Sequence, residues 1–85
     1  KVIFCNEMYG VCKKLGLNYN VIREIWTADP RIGTSHTFVY DDKPGYGGSC
    51  LPKDISSLRK QGVDAGCDMT LIDAVIKKNS ILKDK

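Results

Sequence analysis

The sequence predicts a small all-α domain that carries one long Gly-rich loop. Apolar residues recur at helical spacing in both halves of the 85-residue chain, and Gly, Pro, Asp and Ser cluster between residues 29 and 52. No alternating pattern is long enough for a sheet strand, although residues 37–40 could form a short extended piece. With 42% hydrophobic and 27% charged residues, the chain has the composition of one folded globular domain.

Two helices are predicted before residue 30. The first is amphipathic and ends at Gly16. Its apolar pattern is already present at the first residues of the sequence, and no capping residue precedes it, which suggests that it is part of a longer helix. The second begins at a cap, Asn18 or Asn20, and ends before Pro30, because a residue that precedes proline avoids the helical region. The apolar stripe of the first helix consists of Phe4, Met8, Val11, Cys12 and Leu15.

Two more helices are predicted after the loop. Asp54 is an acceptable N-cap behind Pro52, and Asp68 is an acceptable N-cap for the last helix. The basic tail, residues 77–85, is interpreted as a solvated face of that last helix, because no aromatic residue interleaves its lysines and acidic residues lie nearby. The last helix is expected to have a buried apolar stripe that consists of Leu71, Ile72, Val75, Ile76 and Leu82.

Charge and apolar content exclude two classes of partner. The net charge is only +3, with the positive residues scattered outside the tail, so no nucleic acid partner is expected. No run approaches the roughly 18 consecutive apolar residues that a membrane span needs, and the first residues lack the features of a secretory signal. The sequence therefore predicts a cytoplasmic protein that has no membrane partner.

The cysteines are predicted to be free thiols in a reducing compartment. Cys5 and Cys12 lie seven positions apart on one helix, about 10 Å from each other, which is too far for a disulfide. No metal site is expected, because the chain has no Cys-x-x-Cys pair and His36 is its one histidine. We expect His36 to have a surface or loop-packing role.

The residue that points to chemistry is Cys50, in the segment GYGGSCLPKD at residues 45–54. Three glycines in four positions let the backbone approach a ligand closely and place this thiol in an accessible loop. If Asp54 starts a helix, Cys50 lies just before its N-terminus, where the free N–H groups and the Lys53 ammonium favour the thiolate over the thiol. Cys50 is therefore a candidate nucleophile.

The same spacing also permits a purely structural interpretation of this segment. In it the glycines form a tight turn, Cys50 packs as a small hydrophobic residue and Asp54 only caps the next helix. A dinucleotide-binding loop is not predicted here, because no strand precedes the glycines and their spacing is not Gly-x-Gly-x-x-Gly.

The segment at residues 45–54, with Asp-Pro-Arg-Ile-Gly at residues 29–33 and Phe-Cys-Asn-Glu at residues 4–7, resembles the central domain of the UDP-glucose/GDP-mannose dehydrogenases. The resemblance covers residues 1–85 and implies a central helical dimerisation domain with a catalytic-cysteine loop, flanked by nucleotide-binding domains. It implies NAD-dependent oxidation of the C6 alcohol of a nucleotide sugar to a carboxylate. UDP-glucose is the favoured substrate; an N-acetylated UDP-sugar and GDP-mannose stay open.

The resemblance also implies roles for individual residues. Cys50 is expected to capture the intermediate aldehyde as a thiohemiacetal, which is then oxidised to a thioester and hydrolysed. Asp54 is expected to help activate water or the substrate hydroxyl, and Lys53 to lie beside NAD. Tyr46 and Gly47 are expected along the nucleotide sugar.

Further roles implied by the resemblance lie in the first half of the chain. Arg31 is expected to reach the substrate of the neighbouring subunit across a two-fold dimer, since a guanidinium presents a fixed fork of donors. The alternative is a surface arginine that anchors a loop. Asn6 is expected to be structural, and either Phe38 or Tyr40 takes the family's aromatic position near the substrate.

Two functions stay open on the sequence alone: a piece of a nucleotide-sugar dehydrogenase, and a non-catalytic helical dimerisation module. Both predict a homodimer, because amphipathic helices in so small a chain need a partner surface. The family's catalytic lysine and asparagine would precede Lys1, and both nucleotide-binding domains lie outside the sequence, so these 85 residues alone are not expected to turn over. A thiol redox sensor is less favoured, because no resolving cysteine lies close to Cys50 in sequence.

Overall fold

The computed structural model describes residues 1–84, which contain four α-helices and no β-strand. The all-α prediction is therefore confirmed, and residues 37–40 form no strand. The chain divides into two compact units, the first spanning Lys1–Asp42 and the second beginning at Lys43. The helices are α1 (Val2–Leu15) and α2 (Tyr19–Thr27) in the first unit, and α3 (Cys50–Asp64) and α4 (Thr70–Lys83) in the second.

Local hydrogen bonds define the ends of the two helices of the first unit. Gly16 adopts the left-handed conformation with φ +70°, and the Leu17 N–H donates to the Cys12 carbonyl at 2.8 Å, which is the hydrogen bond of a Schellman C-cap. Asn18 is the N-cap of α2, because its Oδ1 accepts a hydrogen bond from the Asn20 N–H at 2.9 Å. The predicted end of α1 and the Asn18 cap are confirmed.

The apolar stripe of α1 is only partly buried. Cys12 is buried, but Phe4, Val11 and Leu15 are 54%, 57% and 67% exposed. The pattern predicts which residues share a helix face, whereas burial also requires a neighbouring element, and α2 covers only one side of α1. The stripe is therefore divided between the small core of the first unit and an exposed apolar surface.

A small cluster around Tyr19 forms the core of the first unit. Tyr19 packs with Cys5 and Cys12, and its ring meets the Tyr9 ring edge-on at a centroid distance of 5.6 Å. The Tyr19 hydroxyl donates a hydrogen bond to the Thr37 carbonyl at 2.6 Å, and burial raises the pKa of Tyr19. This hydrogen bond attaches the long loop to the start of α2.

Polar groups attach the same loop at two more points. The Thr37 side chain is fully buried; its Oγ1 donates to the Thr34 carbonyl at 2.7 Å and accepts from Arg23 Nη1 at 3.1 Å. At the far end of the loop, the Asp41 carboxylate accepts hydrogen bonds from the Tyr9 hydroxyl and from Lys13 Nζ. The buried Thr37 hydroxyl therefore has both a donor and an acceptor as partners, as burial requires.

The start of α3 differs from the prediction. The helix begins at Cys50 with Ser49 as its N-cap, so the prediction that Asp54 starts it was wrong. Pro52 is the third residue of the helix, where its missing N–H costs nothing because the first-turn N–H groups have no helical partner. Asp54 therefore lies inside the helix, one turn after Cys50.

The second unit is a helical hairpin whose described residues are all exposed or half-buried. The prediction that Asp68 is the N-cap of α4 was wrong by one residue, because Met69 occupies that position. Asp68 Oδ1 nevertheless accepts hydrogen bonds from the main chain and hydroxyl of Thr70, the first residue of the helix. The Arg59 and Asp73 side chains form an ion pair between α3 and α4. The prediction that the α4 stripe is buried was wrong, because α3 covers only part of it. Leu71 is 74% exposed, and the half-buried members are Ile72, Val75, Ile76 and Leu82.

The basic tail continues α4 as a largely exposed helix face. Lys77 and Lys83 are exposed, whereas Lys78 is half-buried. Lys85, the last residue of the predicted tail, lies outside the described residues. None of the helices in residues 1–84 has the length and apolar content that crossing a lipid bilayer requires.

We predict that Tyr19→Phe destabilises the first unit. The change keeps the ring but leaves the buried Thr37 carbonyl without the hydroxyl donor, which costs about 1–2 kcal/mol. Urea unfolding followed by far-UV circular dichroism measures the loss. Tyr40→Phe is the matched control, because Tyr40 is 60% exposed. Equal midpoints for the two variants would contradict this role of Tyr19.

Candidate active site

Cys50, Lys53 and Asp54 lie on one face of α3. Residues three and four positions apart are neighbours on a helix surface, so a helix that begins at Cys50 brings the thiol, the ammonium and the carboxylate together. The prediction that Cys50 lies in the loop before the helix was wrong, because Cys50 is the first helical residue. Its prediction as an accessible thiol is confirmed, since the residue is exposed.

The two charged side chains beside Cys50 interact with each other. Lys53 Nζ lies 3.7 Å from Asp54 Oδ1, and the two side chains are 73% and 67% exposed. An ion pair this exposed is weak and exchanges readily with water, so both groups are available to a ligand. The Ser49 hydroxyl lies 3.8 Å from the Cys50 sulfur and adds a second polar group next to the thiol.

The four cysteines, all free thiols, differ in exposure and in their position on the helices. Cys5 and Cys12 are buried in the first unit. Cys50 and Cys67 are both exposed, but Cys50 is the first residue of α3 whereas Cys67 follows its last turn and donates its N–H to the Gly62 carbonyl. Because a helix N-terminus attracts negative charge and a C-terminus does not, the start of α3 is the better position for a reactive thiol.

The part of the Gly-rich loop that contains residues 45–48 precedes α3 and lies against α4. Gly45 and Gly48 have φ values of +78° and +82°, which residues with a side chain rarely adopt. The Tyr46 N–H donates a hydrogen bond to Asn79 Oδ1 at 2.8 Å. Tyr46 is half-buried, and burial raises its pKa.

Gly47 lies beside a cation. A Cβ at this position would be 3.1 Å from Lys83 Nζ, so the ammonium at the end of α4 approaches the Gly47 backbone closely. The predicted substrate residues Tyr46 and Gly47 therefore lie between two polar side chains of α4, those of Asn79 and Lys83. Such a loop has donors for an anionic or polyhydroxylated ligand.

Arg31 belongs to the first unit and is held by Asp29. Its Nη2 lies 2.7 Å and its Nε 3.1 Å from the Asp29 carboxylate, which also accepts the Arg31 N–H at 2.9 Å. The guanidinium lowers the pKa of Asp29, and the carboxylate raises the pKa of Arg31. The Arg31 side chain is nonetheless 87% exposed, so one edge of the guanidinium is bound by Asp29 and the rest is accessible.

Other residues singled out from the sequence have structural surroundings. Asn6 is buried and its Nδ2 donates to the Val2 carbonyl at 2.8 Å, which confirms its structural role. His36 is exposed in the loop with φ +62°. The Arg23 guanidinium stacks on the Phe38 ring at 3.9 Å from its centroid. Phe38 and Tyr40 are both exposed, so the choice between them as the aromatic residue near the substrate stays open.

Asn79 was not predicted from the sequence as a residue of the candidate site. This residue continues the apolar stripe of α4, three positions after Ile76, yet it carries an amide. A polar side chain in an apolar stripe needs a hydrogen-bond partner, and that signal could have pointed to the loop contact with Tyr46.

The sequence matches that of a known family almost from end to end. Residues 1–81 match the central domain of the UDP-glucose/GDP-mannose dehydrogenase family. The chain belongs to this family. The resemblance seen in the sequence is thus confirmed.

Several UDP-glucose 6-dehydrogenases have sequences similar to that of this chain. The UDP-glucose 6-dehydrogenase of Pseudomonas aeruginosa is 38% identical over 84 residues, which cover 99% of this chain and 18% of that protein. The UDP-glucose 6-dehydrogenases of Rickettsia bellii and Rhizobium meliloti are 36% and 35% identical, over 100% and 93% of the chain and 20% and 17% of their own lengths. The chain thus spans about a fifth of the length of these dehydrogenases.

We predict that Cys50 reacts with iodoacetamide faster than the other three cysteines near neutral pH. Cys5 and Cys12 are shielded by burial, and Cys67 is the matched control, being exposed at the opposite end of α3. We expect Cys50 to exceed Cys67 about threefold, from the opposite effects of the helix ends on a developing thiolate. Peptide mapping by mass spectrometry measures the four rates. Equal rates at all four thiols would favour the dimerisation module over the enzyme.

We also predict that Arg31→Ala raises the pKa of Asp29 towards its usual value, without reaching it, because the main-chain N–H at position 31 still donates. A lowered folded-state pKa contributes stability above the unfolded pKa that is lost as pH falls through the folded value. The wild type should therefore lose more stability on acidification than the variant. NMR titration of the carboxyl carbons measures the shift.

Asp68 is the internal control for this titration. Hydrogen bonds from Thr70 lower the pKa of Asp68 in the second unit, and Arg31 makes no contribution to it. Its titration should be the same in both proteins. An Asp29 midpoint that does not move in Arg31→Ala would show that the ion pair is absent in solution.

Proposed function

We propose that this chain is the central domain, residues 1–85, of an NAD-dependent nucleotide-sugar 6-dehydrogenase in which Cys50 is the nucleophile. The observation that carries the proposal is an exposed thiol at the first residue of α3 with Lys53 and Asp54 on the same helix face. Membership of the dehydrogenase family supports the reaction class. The relatives named above are UDP-glucose 6-dehydrogenases, which supports UDP-glucose as the substrate.

Cys50 holds the sugar between the two oxidation steps. The thiolate attacks the C6 aldehyde, a carbon–sulfur bond forms and the aldehyde oxygen takes up a proton to give a thiohemiacetal. Loss of a hydride from C6 and of the hydroxyl proton converts this adduct into a thioester. Water then attacks C6, the carbon–sulfur bond breaks, and the carboxylate and the free thiolate are released. Covalent attachment prevents the aldehyde from leaving between the steps.

Asp54 is the group of this chain that can take up a proton. Its exposed carboxylate lies one helical turn from Cys50, where it can orient water towards C6 and accept a proton from it. Tyr46 and Gly47 bind the nucleotide sugar through the loop that precedes the thiol. Arg31 reaches the substrate of the partner subunit with the donors that Asp29 leaves free.

Lys53 is the residue of this chain that suits NAD. Its ammonium is exposed, close to the thiol and only weakly engaged by Asp54, so it fits the negative charge of a dinucleotide diphosphate. Two NAD molecules, bound in turn, would each accept one of the two hydrides that leave C6. Most of its binding groups belong to a domain outside these 85 residues, so we expect the isolated chain to be inactive.

A homodimer is part of the proposal. The first unit exposes a set of large apolar side chains on its two helices, and a second copy would cover them. These residues are Phe4, Val11 and Leu15 on α1, and Val21 and Ile25 on α2. A non-catalytic dimerisation module would need the same surface. Experiments on Cys50, and not on this surface, therefore distinguish the two candidate functions.

We predict that Cys50→Ser in the full-length protein abolishes net oxidation of UDP-glucose to the acid. Loss of the nucleophile should lower the rate by about three orders of magnitude or more. NADH absorbance and mass spectrometry of the sugar product measure it. Cys67→Ser, which removes the other exposed thiol of the second unit, is the matched control and should stay active.

Sedimentation of the two serine variants completes this test. Both should remain dimeric, because neither cysteine belongs to the apolar surface of the first unit. A fully active Cys50→Ser protein would remove the nucleophile from the proposal. A wild type that dimerises but oxidises no nucleotide sugar would leave only the dimerisation module.

A further inference from the structure

Asn79 joins α4 to the Gly-rich loop of the second unit. Its Oδ1 accepts the hydrogen bond that the Tyr46 main-chain N–H donates at 2.8 Å, and the side chain is half-buried. Leu82 and Lys83 lie three and four positions further on, on the same face of α4. The contact therefore belongs to a continuous helix face.

The geometry of Gly45 shows how closely this face approaches the loop. A Cβ added at Gly45 would overlap Asn79 Oδ1 and lie 3.6 Å from the Leu82 Cβ. Gly45 also has a φ of +78°, which disfavours any side chain. Two independent constraints, a backbone conformation and a steric contact with Asn79, therefore require glycine immediately before Tyr46.

We propose that Asn79 is a positioning residue for the nucleotide-sugar subsite, and that it acts by holding the Tyr46 N–H so that Tyr46 and Gly47 are presented to the ligand. The inference rests on the proposed function, which assigns these two residues to the substrate. Asn79 itself does not need to touch the sugar, because its Oδ1 is already engaged by the loop.

The kinetic consequence follows from what the hydrogen bond restricts. Without it, a loop with three glycines in four positions samples more conformations, and ligand binding has to select or order the competent one. That cost weakens binding. Cys50 lies on α3 and is not held by Asn79, so the chemical steps should proceed at nearly the same rate once the substrate is bound.

The experiment compares three variants of the full-length protein. Asn79→Ala removes the acceptor, Asn79→Asp keeps an oxygen in the same place, and Ser80→Ala changes an exposed neighbour on the same helix. We measure KM for UDP-glucose and kcat from NADH formation, and hydrogen–deuterium exchange of a peptide that contains the Tyr46 amide. The exchange measurement needs no substrate and reports the hydrogen bond itself.

We expect Asn79→Ala to raise KM about fivefold, to change kcat less than about twofold, and to speed exchange at Tyr46. Asn79→Asp should restore both the KM and the slow exchange, and Ser80→Ala should match the wild type. Loss of thermal stability with an unchanged KM is what a purely structural role for Asn79 would produce, and it would overturn the proposal.

Two further outcomes are decisive. Unchanged exchange at Tyr46 in Asn79→Ala would show that the hydrogen bond does not hold the loop and would also overturn the proposal. A wild type that oxidises no nucleotide sugar would overturn the proposed function, and with it the assignment of a substrate to the loop. In that case the exchange data would still decide whether Asn79 holds the loop, so the two failures are distinguishable.

Discussion

The first turn of α3 determines which side chains can act together in the second unit. Because the helix begins at Cys50, the thiol is both at the helix N-terminus and one turn from Asp54. Pro52 stabilises this start, since proline is tolerated in the first turn and its fixed φ suits a helix. A helix that began four residues later would leave Cys50 in the loop and remove its fixed relation to Lys53 and Asp54.

The first unit depends on polar contacts to an unusual degree for its size. Its core contains Tyr19 and two cysteines, and the fully buried Thr37 is linked to the loop and to Arg23 through hydrogen bonds. A core this small contributes little stability on its own. Since Phe4 and Leu15 remain more than half exposed, burying them against another surface would add stability that the unit lacks alone. The proposed homodimer provides that surface.

The features that sequence predicted correctly are those that local hydrogen bonds determine. Gly16 and Asn18 each act within four residues, so their types and spacing are sufficient. The start of α3 was harder, because Ser49 and Asp54 are both good N-caps and a proline between them fits either choice. Choosing between them requires knowledge of how the Gly-rich loop enters the helix.

Burial of the apolar stripes and the role of Asn79 depend on residues distant in sequence. The pattern of α1 predicts a shared face, but no pattern tells which part of that face α2 covers. The partner of Asn79 lies 33 residues away in an irregular segment, so no helical or strand periodicity connects the two. Of the candidate site, the sequence identified the chemical groups, and the fold was needed to bring three of them onto one helix face.

The weak packing of the second unit affects how the Gly-rich loop of the candidate site is held. None of its described residues is buried, so apolar contacts cannot fix the conformation of a loop that contains several glycines. A single hydrogen bond contributes only about 1 kcal/mol, yet here it acts on a segment whose glycines give the backbone wide conformational freedom. The conformation of Tyr46 and Gly47 is thus decided by α4, while the position of Cys50 is decided by α3. In the proposed function, ligand binding and covalent chemistry would therefore depend on different helices of one hairpin. The contacts between α3 and α4, including the Arg59–Asp73 ion pair, would fix the position of one relative to the other.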